Sequence, residues 1–383
     1  MSQEKPPISH NAVPLEHYDA EYARKYIERT LGATYTRYKN RLIAEKCAED
    51  GATHVVDIGG NVSGIIRAEG SLRTQLEKHD INYIGVDLIP DYFDPKTAHD
   101  LGVPPEGIYE EVEGYVADIE NLPFEDESVE AVVCADVIEH VPDPQKAFTE
   151  VARVLSKDGT AFFVIPSMYK IDLFDFAYVE EKRTSSHVSK LIIDDWEVLW
   201  EEAGLELDPE ASQPVGIASG LSYLSWIDEE VIPDRPDLDG KEEYSEKSIA
   251  HRRAKEILGL YDEAIDAYIF EHGIEALLVE ALQEGDMQRA FRILKEAILA
   301  VVAVSEEEAI VLDTFFNMVE GTAYTEERVT HIMDTFTRAK EPRLLLGNSV
   351  LVSLRHKEQV ESEEEDALHE NEEGAEYIEE AAA

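Results

Sequence analysis

The chain has 383 residues, of which 44% are hydrophobic, so it is long enough for two domains and too apolar to be disordered throughout. Its 83 acidic and 34 basic residues leave a formal net charge of −49. This charge argues against binding to nucleic acids or anionic membranes, because both need clustered Lys and Arg. Cys47 and Cys134 are too few for a disulfide framework or a zinc cluster, and no metal site is expected.

The first residues and the apolar runs predict a soluble protein of the cytoplasm. Residues 1–16 are polar and contain three prolines, so we expect a flexible N-terminal segment without a secretory signal. The longest apolar run, residues 297–304, is far shorter than the roughly 20 residues that cross a bilayer. Membrane insertion is therefore not expected.

The segment 17–232 begins with a helical pattern and then alternates short apolar runs with amphipathic stretches. The runs 54–58, 82–87, 114–118, 131–135 and 160–165 predict strands, and the stretches 72–79, 144–155 and 194–203 predict helices. Uninterrupted apolar strands that alternate with helices indicate a parallel sheet covered on both faces. In such sheets ligands bind beyond the carboxyl ends of the strands, so we expect the chemistry there.

The second half of the chain has a different composition. Residues 233–243 contain two prolines and a glycine among charged residues, which predicts a linker. Residues 244–356 are predicted to form a helical C-terminal domain, with helices over 244–270, 274–283, 287–302, 306–319 and 325–340, whereas 344–354 suit a strand or a helix. Ser305 and Glu308 form a capping-box pattern. Residues 358–383 include twelve acidic residues and no basic one, and the segment 357–383 is predicted to be a disordered tail.

A glycine-containing turn, DIGGNVSG at residues 57–64, follows the first predicted strand. It lacks the Gly-Lys-Ser/Thr ending of a P-loop, and Asn61 breaks the Gly-x-Gly-x-x-Gly pattern of a dinucleotide loop. A third type of loop, Asp-x-Gly-x-Gly-x-Gly, matches at Asp57 and Gly59 but has Asn61 and Ser63 in place of glycine. Asn tolerates positive φ, so Asn61 is expected to support the turn. A purely structural strand-to-helix turn stays an alternative.

Acidic residues follow the next two predicted strands. Asp87 ends the second strand, where a carboxylate can accept hydrogen bonds from both hydroxyls of a ribose. Its separation from Asp57, 30 residues, indicates an insertion. Asp118 and Ile119 follow the third strand and suit an adenine, with the carboxylate on the exocyclic amine and Ile119 on the ring. The alternatives are an ordinary turn residue at Asp87 and an ordinary acidic loop at Asp118.

The most specific pattern lies between residues 129 and 165. It reads ADVIEHVPDP at 135–144, EVARVL at 150–155 and KDG at 157–159. Here the chain resembles the class I S-adenosylmethionine-dependent methyltransferases, most closely the branch that includes the quinone-biosynthesis enzymes. That branch has a Glu-His pair before Ile/Val-Pro-Asp-Pro, then a helix with Glu and Arg, and then Gly before the fifth strand. The resemblance covers roughly residues 18–230.

The resemblance implies a fold, a cofactor and a set of binding residues. The fold is α/β, with a Rossmann-like, seven-stranded and mostly parallel sheet that has helices on both faces, in a methyltransferase domain at 17–232. The cofactor is S-adenosylmethionine. Carried over by position, the cofactor-binding residues are Asp57, Gly59, Gly60, Asn61, Asp87, Leu88, Asp118, Ile119, Ala135, Asp136 and Val137.

The catalytic candidates follow from the chemistry of this cofactor. Its sulfonium methyl is already electrophilic, so the protein mainly aligns the nucleophile, and an oxygen or nitrogen nucleophile also needs a base. His140, after the fourth strand, is one candidate. His187 is a second, because the family often has a histidine there that faces the substrate. A structural role stays an alternative for both, and for Glu139 and Asp136.

The resulting interpretation is a methyltransferase that acts on a small molecule or on a glycan- or lipid-linked intermediate. The alternatives are a catalytically degenerate methyltransferase fold that serves as a binding or assembly module, and an NAD(P)-dependent oxidoreductase. The C-terminal helices are candidates for a homo-oligomer contact. Concentrated salt would screen the repulsion of the −49 charge, so we expect a halophilic protein with an acidic surface, a locally acidic interaction tail being the alternative.

Overall fold

The structure is a computed structural model that describes residues 23–24, 26–27, 34–166, 193–217, 253–254, 257–258, 260–320, 326–347 and 349–357. The strands are β1 (His54–Ile58), β2 (Asn82–Asp87), β3 (Gly114–Val116), β4 (Val129–Ala135), β5 (Leu155–Pro166), β6 (Leu205–Leu207), β7 (Gln213–Val215) and β8 (Ser349–His356). The longer helices are α1 (Thr34–Glu49), α2 (Leu72–Glu77), α3 (Pro95–Asp100), α4 (Pro144–Val154), α5 (Ile193–Glu202), α6 (Asp262–Glu271), α7 (Ile274–Gln283), α8 (Met287–Val301), α9 (Glu306–Glu320) and α10 (Glu326–Arg338).

The first five strands form the parallel part of one sheet, in the order β3–β2–β1–β4–β5. The chain builds outward from β1 to β2 and β3 on one side, and then crosses to β4 and β5 on the other. The strand order therefore reverses between β1 and β4, and the carboxyl ends of these strands flank a crevice of the kind that binds ligands in open α/β sheets.

The last strand, β8, corrects two predictions. The sheet has eight strands rather than seven, and Ser349–His356 belongs to it rather than to a helical C-terminal domain. This strand runs antiparallel to β5 on one side and to β6 and β7 on the other. Both faces of β8 are buried, so most of its residues are apolar and show no alternation of polar and apolar side chains. Hydrophobic periodicity alone cannot distinguish such a strand from a buried helix. The helices α6–α10 are thus inserted between two strands of the sheet.

Two further boundaries differ from the predictions. The helix predicted over 244–270 is interrupted at residues 260–261, where Leu260 N bonds to Ile257 O and Tyr261 N to Leu258 O, and α6 begins only at residue 262. The strand predicted over 160–165 begins earlier, at Leu155, so the segment 157–159 lies inside β5. By contrast, α7 has the predicted bounds, and the predicted capping box at the start of α9 is confirmed, since Ser305 N donates to Glu308 Oε2 at 2.9 Å.

Apolar side chains cover both faces of the sheet. On one face, Ile43 and Cys47 of α1 are completely buried. On the other, Phe148 of α4 packs against Trp196 and Trp200 of α5, with ring centroids 6.2 and 6.1 Å apart. Each large side chain buried in this way stabilises the fold by roughly 1.5–3 kcal/mol. The sheet is therefore held between α1 and the pair α4–α5.

The helices α6–α10 have a core of their own, which includes Leu278, Phe291, Phe315 and Phe336. They are fixed to the sheet by buried polar contacts. Asp266 of α6 accepts hydrogen bonds from the backbone N–H of Gly216 (2.7 Å) and Ile217 (3.0 Å), just after β7. Arg41 of α1 forms an ion pair with Glu263 of α6. Through these contacts α1 touches both the sheet and the inserted helices.

Several predicted features lie outside the described residues: the segment 1–16, His187, the linker 233–243 and the residues after 357. The predicted domain limits at these places stay predictions. Among the residues that the structure describes, no helix is long and apolar enough to cross a membrane.

Candidate functional site

The turn after β1 depends on two residues with a left-handed backbone. Gly59 has φ 72° and Asn61 has φ 53°, which confirms that Asn61 supports the turn despite its side chain. The Gly59 N–H donates to Val86 O of β2 at 2.7 Å. A Cβ atom at position 59 would lie 2.5 Å from Val137 Cγ2, so only glycine fits here. The turn is therefore packed directly against the segment that follows β4.

Asp57 of β1 supports this turn through its buried side chain. Its side chain is 3% exposed, and its Oδ2 accepts a hydrogen bond from Tyr83 Oη of β2 at 3.0 Å. Burial raises the pKa of Asp57 to about 7, although the Tyr83 hydrogen bond and the charge of Lys39 oppose the rise. A side chain at Gly60 would overlap the Asp57 carboxylate. Asp57 and Gly60 thus shape the turn.

Asp87 stands at the carboxyl end of β2 and ties the turn to this strand. Its Oδ2 accepts from Asn61 N at 3.2 Å and its Oδ1 from Ile89 N at 3.0 Å. Burial raises the pKa of Asp87 to about 6, opposed by hydrogen bonds from backbone N–H groups, those of Ile89 and Asn61 included. The next side chain, Leu88, is 44% exposed. A carboxylate and an exposed apolar group therefore lie side by side at this strand end.

Asp118 and Ile119 follow β3, next to the end of β2. The adjacency is direct, because Asp87 and Val116 are register partners and Ala117 N bonds to Asp87 O at 3.0 Å. Asp118 is exposed, and its Oδ1 accepts a hydrogen bond from the N–H of the residue two further on. Ile119 is buried in the core. The acidic side chain is thus open to a ligand, while the apolar one is already packed.

The segment after β4 completes this edge of the sheet. Ala135 and Val137 are partly buried, and Asp136 has a left-handed backbone with φ 57°. Glu139 is buried, and burial together with the nearby charge of Asp136 raises its pKa well above the ordinary value. Its Oε1 lies 3.8 Å from Nε2 of His140, whose side chain is 24% exposed. His140 thus stands beside a buried carboxyl group.

The structure brings most of the predicted site residues to one crevice. The glycine turn, Asp87 and Val137 are linked by direct contacts, and Asp118 lies one strand further along the sheet. His187 lies outside the described residues. Two contacts were not predicted, the Tyr83 hydroxyl on Asp57 and an ion pair from Lys39 to Asp136. Neither Lys39 nor Tyr83 belongs to a sequence motif. The only signal for Tyr83 is a hydroxyl-bearing side chain within a largely apolar strand.

Comparisons with known proteins identify a methyltransferase domain in the central part of the chain. Residues 67–163 match the family model described as "Methyltransferase domain". Over 111 residues the chain is 31% identical to the uncharacterized methyltransferase YcgJ of Bacillus subtilis (strain 168), which covers 28% of this chain and 42% of that protein. The chain therefore spans less than half the length of this curated relative.

Solved structures resemble the chain more distantly. The YcgJ protein from Bacillus subtilis has 24% identity and a TM-score of 0.34, with 44% of this chain and 70% of that chain covered. An S-adenosylmethionine-dependent methyltransferase from Clostridium acetobutylicum ATCC 824 has 18% identity and a TM-score of 0.34, with 51% and 89% covered. Both TM-scores lie below 0.5.

The matched domain implies S-adenosylmethionine as the cofactor, and the crevice fits this molecule. The turn at Gly59 has no side chain that would obstruct a ligand, and the Asp87 carboxylate places hydrogen-bond acceptors at the end of β2. The exposed side chain of Leu88 offers an apolar surface for a base. The acidic side chains around the crevice suit the positive charge of a sulfonium.

Proposed function

We propose that the chain is an S-adenosylmethionine-dependent methyltransferase that acts on a small molecule or on a glycan- or lipid-linked intermediate. One observation carries this proposal. The glycine turn after β1, Asp87 at the end of β2 and the segment 135–137 after β4 meet at the point where the strand order reverses. Two of these three parts lie within the region that matches the methyltransferase domain.

When bound, S-adenosylmethionine supplies a methyl carbon on a positively charged sulfur, and its loss to an acceptor leaves the neutral thioether S-adenosylhomocysteine. The chain's own residues then have to bind the cofactor and to orient the acceptor toward its methyl group. Asp87 would accept the ribose hydroxyls, and Leu88 and Asp118 would face the adenine. The turn at Gly59 would hold the methionine portion, with Val137 fixing its position. Such alignment supplies roughly 7–11 kcal/mol of barrier lowering in well-oriented reactions.

Calorimetric titration tests the cofactor part of this proposal. We expect S-adenosylmethionine and S-adenosylhomocysteine to bind to the full chain and NADH not to bind. Asp87→Asn should weaken both ligands at least tenfold, because an amide accepts hydroxyl hydrogen bonds less well than a carboxylate. The matched control is Asp91→Asn, the same change at an exposed aspartate four residues further on, which should leave both affinities unchanged.

The other outcomes favour the alternatives. Binding of NADH alone would favour an oxidoreductase and overturn the proposal. If none of the three compounds bound, the chain would be a degenerate methyltransferase fold that serves as an assembly module. Tight cofactor binding that is unaffected by Asp87→Asn would keep the methyltransferase but refute the ribose assignment.

The acceptor, the working conditions and the oligomeric state can also be proposed. We propose that the acceptor resembles those of the quinone-biosynthesis branch, and that His140 or His187 lies close to it. We further propose an acidic, salt-adapted enzyme of the cytoplasm. The inserted helices carry exposed apolar side chains, among them Leu299 and Ile310, which would suit a contact between two copies. Light scattering over a range of protein concentrations tests this dimer.

A further inference from the structure

Lys39 of α1 is a buried base at the carboxyl end of the sheet. It is 6% exposed, and it is the only lysine or arginine among the buried polar residues that the structure describes. Its Nζ forms an ion pair with the carboxylate of Asp136 and lies 5.8 Å from the centroid of the Tyr35 ring. Burying an ammonium group costs several kcal/mol unless partners compensate it, so this placement needs a reason.

The surroundings of Lys39 are acidic. Its charge favours the ionised forms of two buried carboxyl groups, Asp57 in β1 and Glu139 after β4, and so lowers the pKa of each against the effect of burial. Asp136, with which it is paired, acts on Glu139 in the opposite direction. Lys39 is therefore the shared counter-charge of three carboxyl groups, and His140 adjoins one of them.

Asp136 is strained and open. Asp136 has φ 57°, a left-handed backbone that is uncommon for a residue other than glycine. The Asp136 N–H donates to Val164 O of β5 at 2.9 Å, which holds this conformation. Although its partner Lys39 is buried, the Asp136 side chain is 39% exposed. The next residue, Val137, contacts the turn at Gly59. Asp136 therefore offers a carboxylate at the mouth of the crevice, on the side of α1.

We propose that Asp136 binds the methyl acceptor, a compound with an N–H or O–H group at the atom to be methylated, and that Lys39 is the positioning residue that orients Asp136. This inference rests on the proposed function. As the acceptor atom uses its lone pair to take the methyl group, its proton passes to the Asp136 carboxylate and from there to solvent. Strain that is held in place beside a ligand site is a recurring property of functional residues.

A purely structural ion pair explains these observations less well. Arg41, two residues further along the same helix, already joins α1 to α6 through Glu263, with both side chains partly exposed. A buried pair that only fastened α1 could be replaced by apolar residues with little loss of stability. The pair at Lys39 instead holds a strained residue whose carboxylate stays accessible.

The test separates stability, cofactor binding and methyl transfer. The main variant is Lys39→Met with Asp136→Gly, which leaves no unpaired buried charge and relieves the strain at position 136. We expect it to unfold at the same or a higher temperature than the wild type, and to lose much less affinity for S-adenosylhomocysteine than it loses in methyl transfer. Transfer of a tritiated methyl group from S-adenosylmethionine into a cell extract should fall at least tenfold. Lys39→Arg should retain most of the transfer.

The control is Lys46→Met, the same substitution two turns further along α1, which should change none of the three measurements. A double variant that unfolds earlier but transfers methyl groups normally would show that the pair is only structural, and would overturn the inference. A loss of S-adenosylhomocysteine binding would also overturn it, because the pair would then serve the cofactor. If the wild type binds the cofactor but labels nothing in the extract, the proposed function itself fails, and the inference fails with it.

Discussion

Asp57 is a carboxyl group that the fold buries without a direct ion pair to any basic side chain of the described residues. Its pKa is raised from 3.8 to about 7 because burial outweighs the Tyr83 hydrogen bond and the charge of Lys39. The folded protein therefore binds a proton at this site between these two pH values, while the unfolded chain has already released it. The stability contributed by protonated Asp57 is present at low pH and is lost as the pH rises toward 7.

Replacing Asp57 by Asn should remove this pH dependence. The amide keeps an oxygen for the Tyr83 hydroxyl but carries no charge to desolvate. Relative to the wild type, Asp57→Asn should gain on the order of 3 kcal/mol of unfolding free energy between pH 5 and pH 8, at about 1.36 kcal/mol per pKa unit. Urea unfolding at several pH values measures the difference between the two proteins, so that the titration of all other carboxylates cancels.

The control for this prediction is Asp158→Asn, since Asp158 is exposed. The difference in unfolding free energy between Asp158→Asn and the wild type should be the same at pH 5 and at pH 8. A constant difference for Asp57→Asn as well would mean that Asp57 titrates normally in the folded protein.

Gly59 permits a second comparison at the residue scale. Both Gly59 (φ 72°) and Gly204 (φ 83°) have a left-handed backbone, but only Gly59 has a neighbour, Val137, where a Cβ would lie. Gly204→Ala should cost about 1 kcal/mol, the strain alone. Gly59→Ala should cost more, and should also abolish S-adenosylhomocysteine binding because the turn must move. Equal losses of stability with intact binding in both variants would exclude the proposed role of the turn.

Single residues show what the sequence could and could not predict about the site. The position of Asp87 and Asp118 at the carboxyl edge of the sheet is predictable, because an acid at a strand end is a local pattern. Asn61 was assigned to the turn because its tolerance of positive φ is an intrinsic property. The contacts of Lys39 and Tyr83 could not be predicted, because each depends on a partner 97 or 26 residues away that only the fold brings near.

At the scale of elements, the helix motif that carries the family resemblance has a structural purpose. Glu150 of α4 accepts a hydrogen bond from Leu122 N at 2.8 Å, and Arg153 donates to Phe124 O at 2.9 Å and pairs with Asp126. These bonds hold the loop that follows Asp118. The motif is therefore recognisable because it fixes a loop beside the cofactor crevice, and not because its residues perform chemistry.

Removal of the strand β8 should destabilise the sheet. A chain that ends at residue 348 lacks β8, the strand with which β5, β6 and β7 all form antiparallel pairs. We expect it to lose cooperative unfolding and to bind no S-adenosylhomocysteine. A chain that ends at residue 357 lacks only the acidic tail and should behave as the full protein does. Circular dichroism melts and calorimetry measure both.

If the chain ending at residue 348 stays folded and binds the ligand, the sheet does not require β8. The alternation of strands and helices was sufficient to predict the parallel half of this sheet. It was insufficient for β8, because this strand lies 134 positions after β7, beyond all the helices of the insertion. Local periodicity carries no information about such a distant pairing.

On the scale of the whole molecule, the acidic surplus is visible in the ion pairs. Basic side chains are shared between two acids, as when Arg289 pairs with Glu280 and Glu284, or Lys340 with Glu197 and Glu201. Each such cluster keeps a net negative charge. Because exposed pairs contribute only about 0–1 kcal/mol each, they do not offset the repulsion of a net charge of −49.

Stability should therefore increase with salt. At 1 M salt the Debye length falls to about 3 Å, so repulsion between surface carboxylates is largely screened. We expect the melting temperature of the full chain to rise by roughly 10 °C between 0.1 and 2 M KCl, which corresponds to about 8 kcal/mol for 383 residues at roughly 2.1 cal/mol/K per residue. The chain that ends at residue 357 separates two explanations, since it lacks twelve of the 83 acidic residues. If the charge on the folded part causes the effect, this shorter chain keeps most of the salt dependence. A melting temperature that is the same at both salt concentrations would contradict a salt-adapted surface, and would leave the acidic tail as an interaction segment.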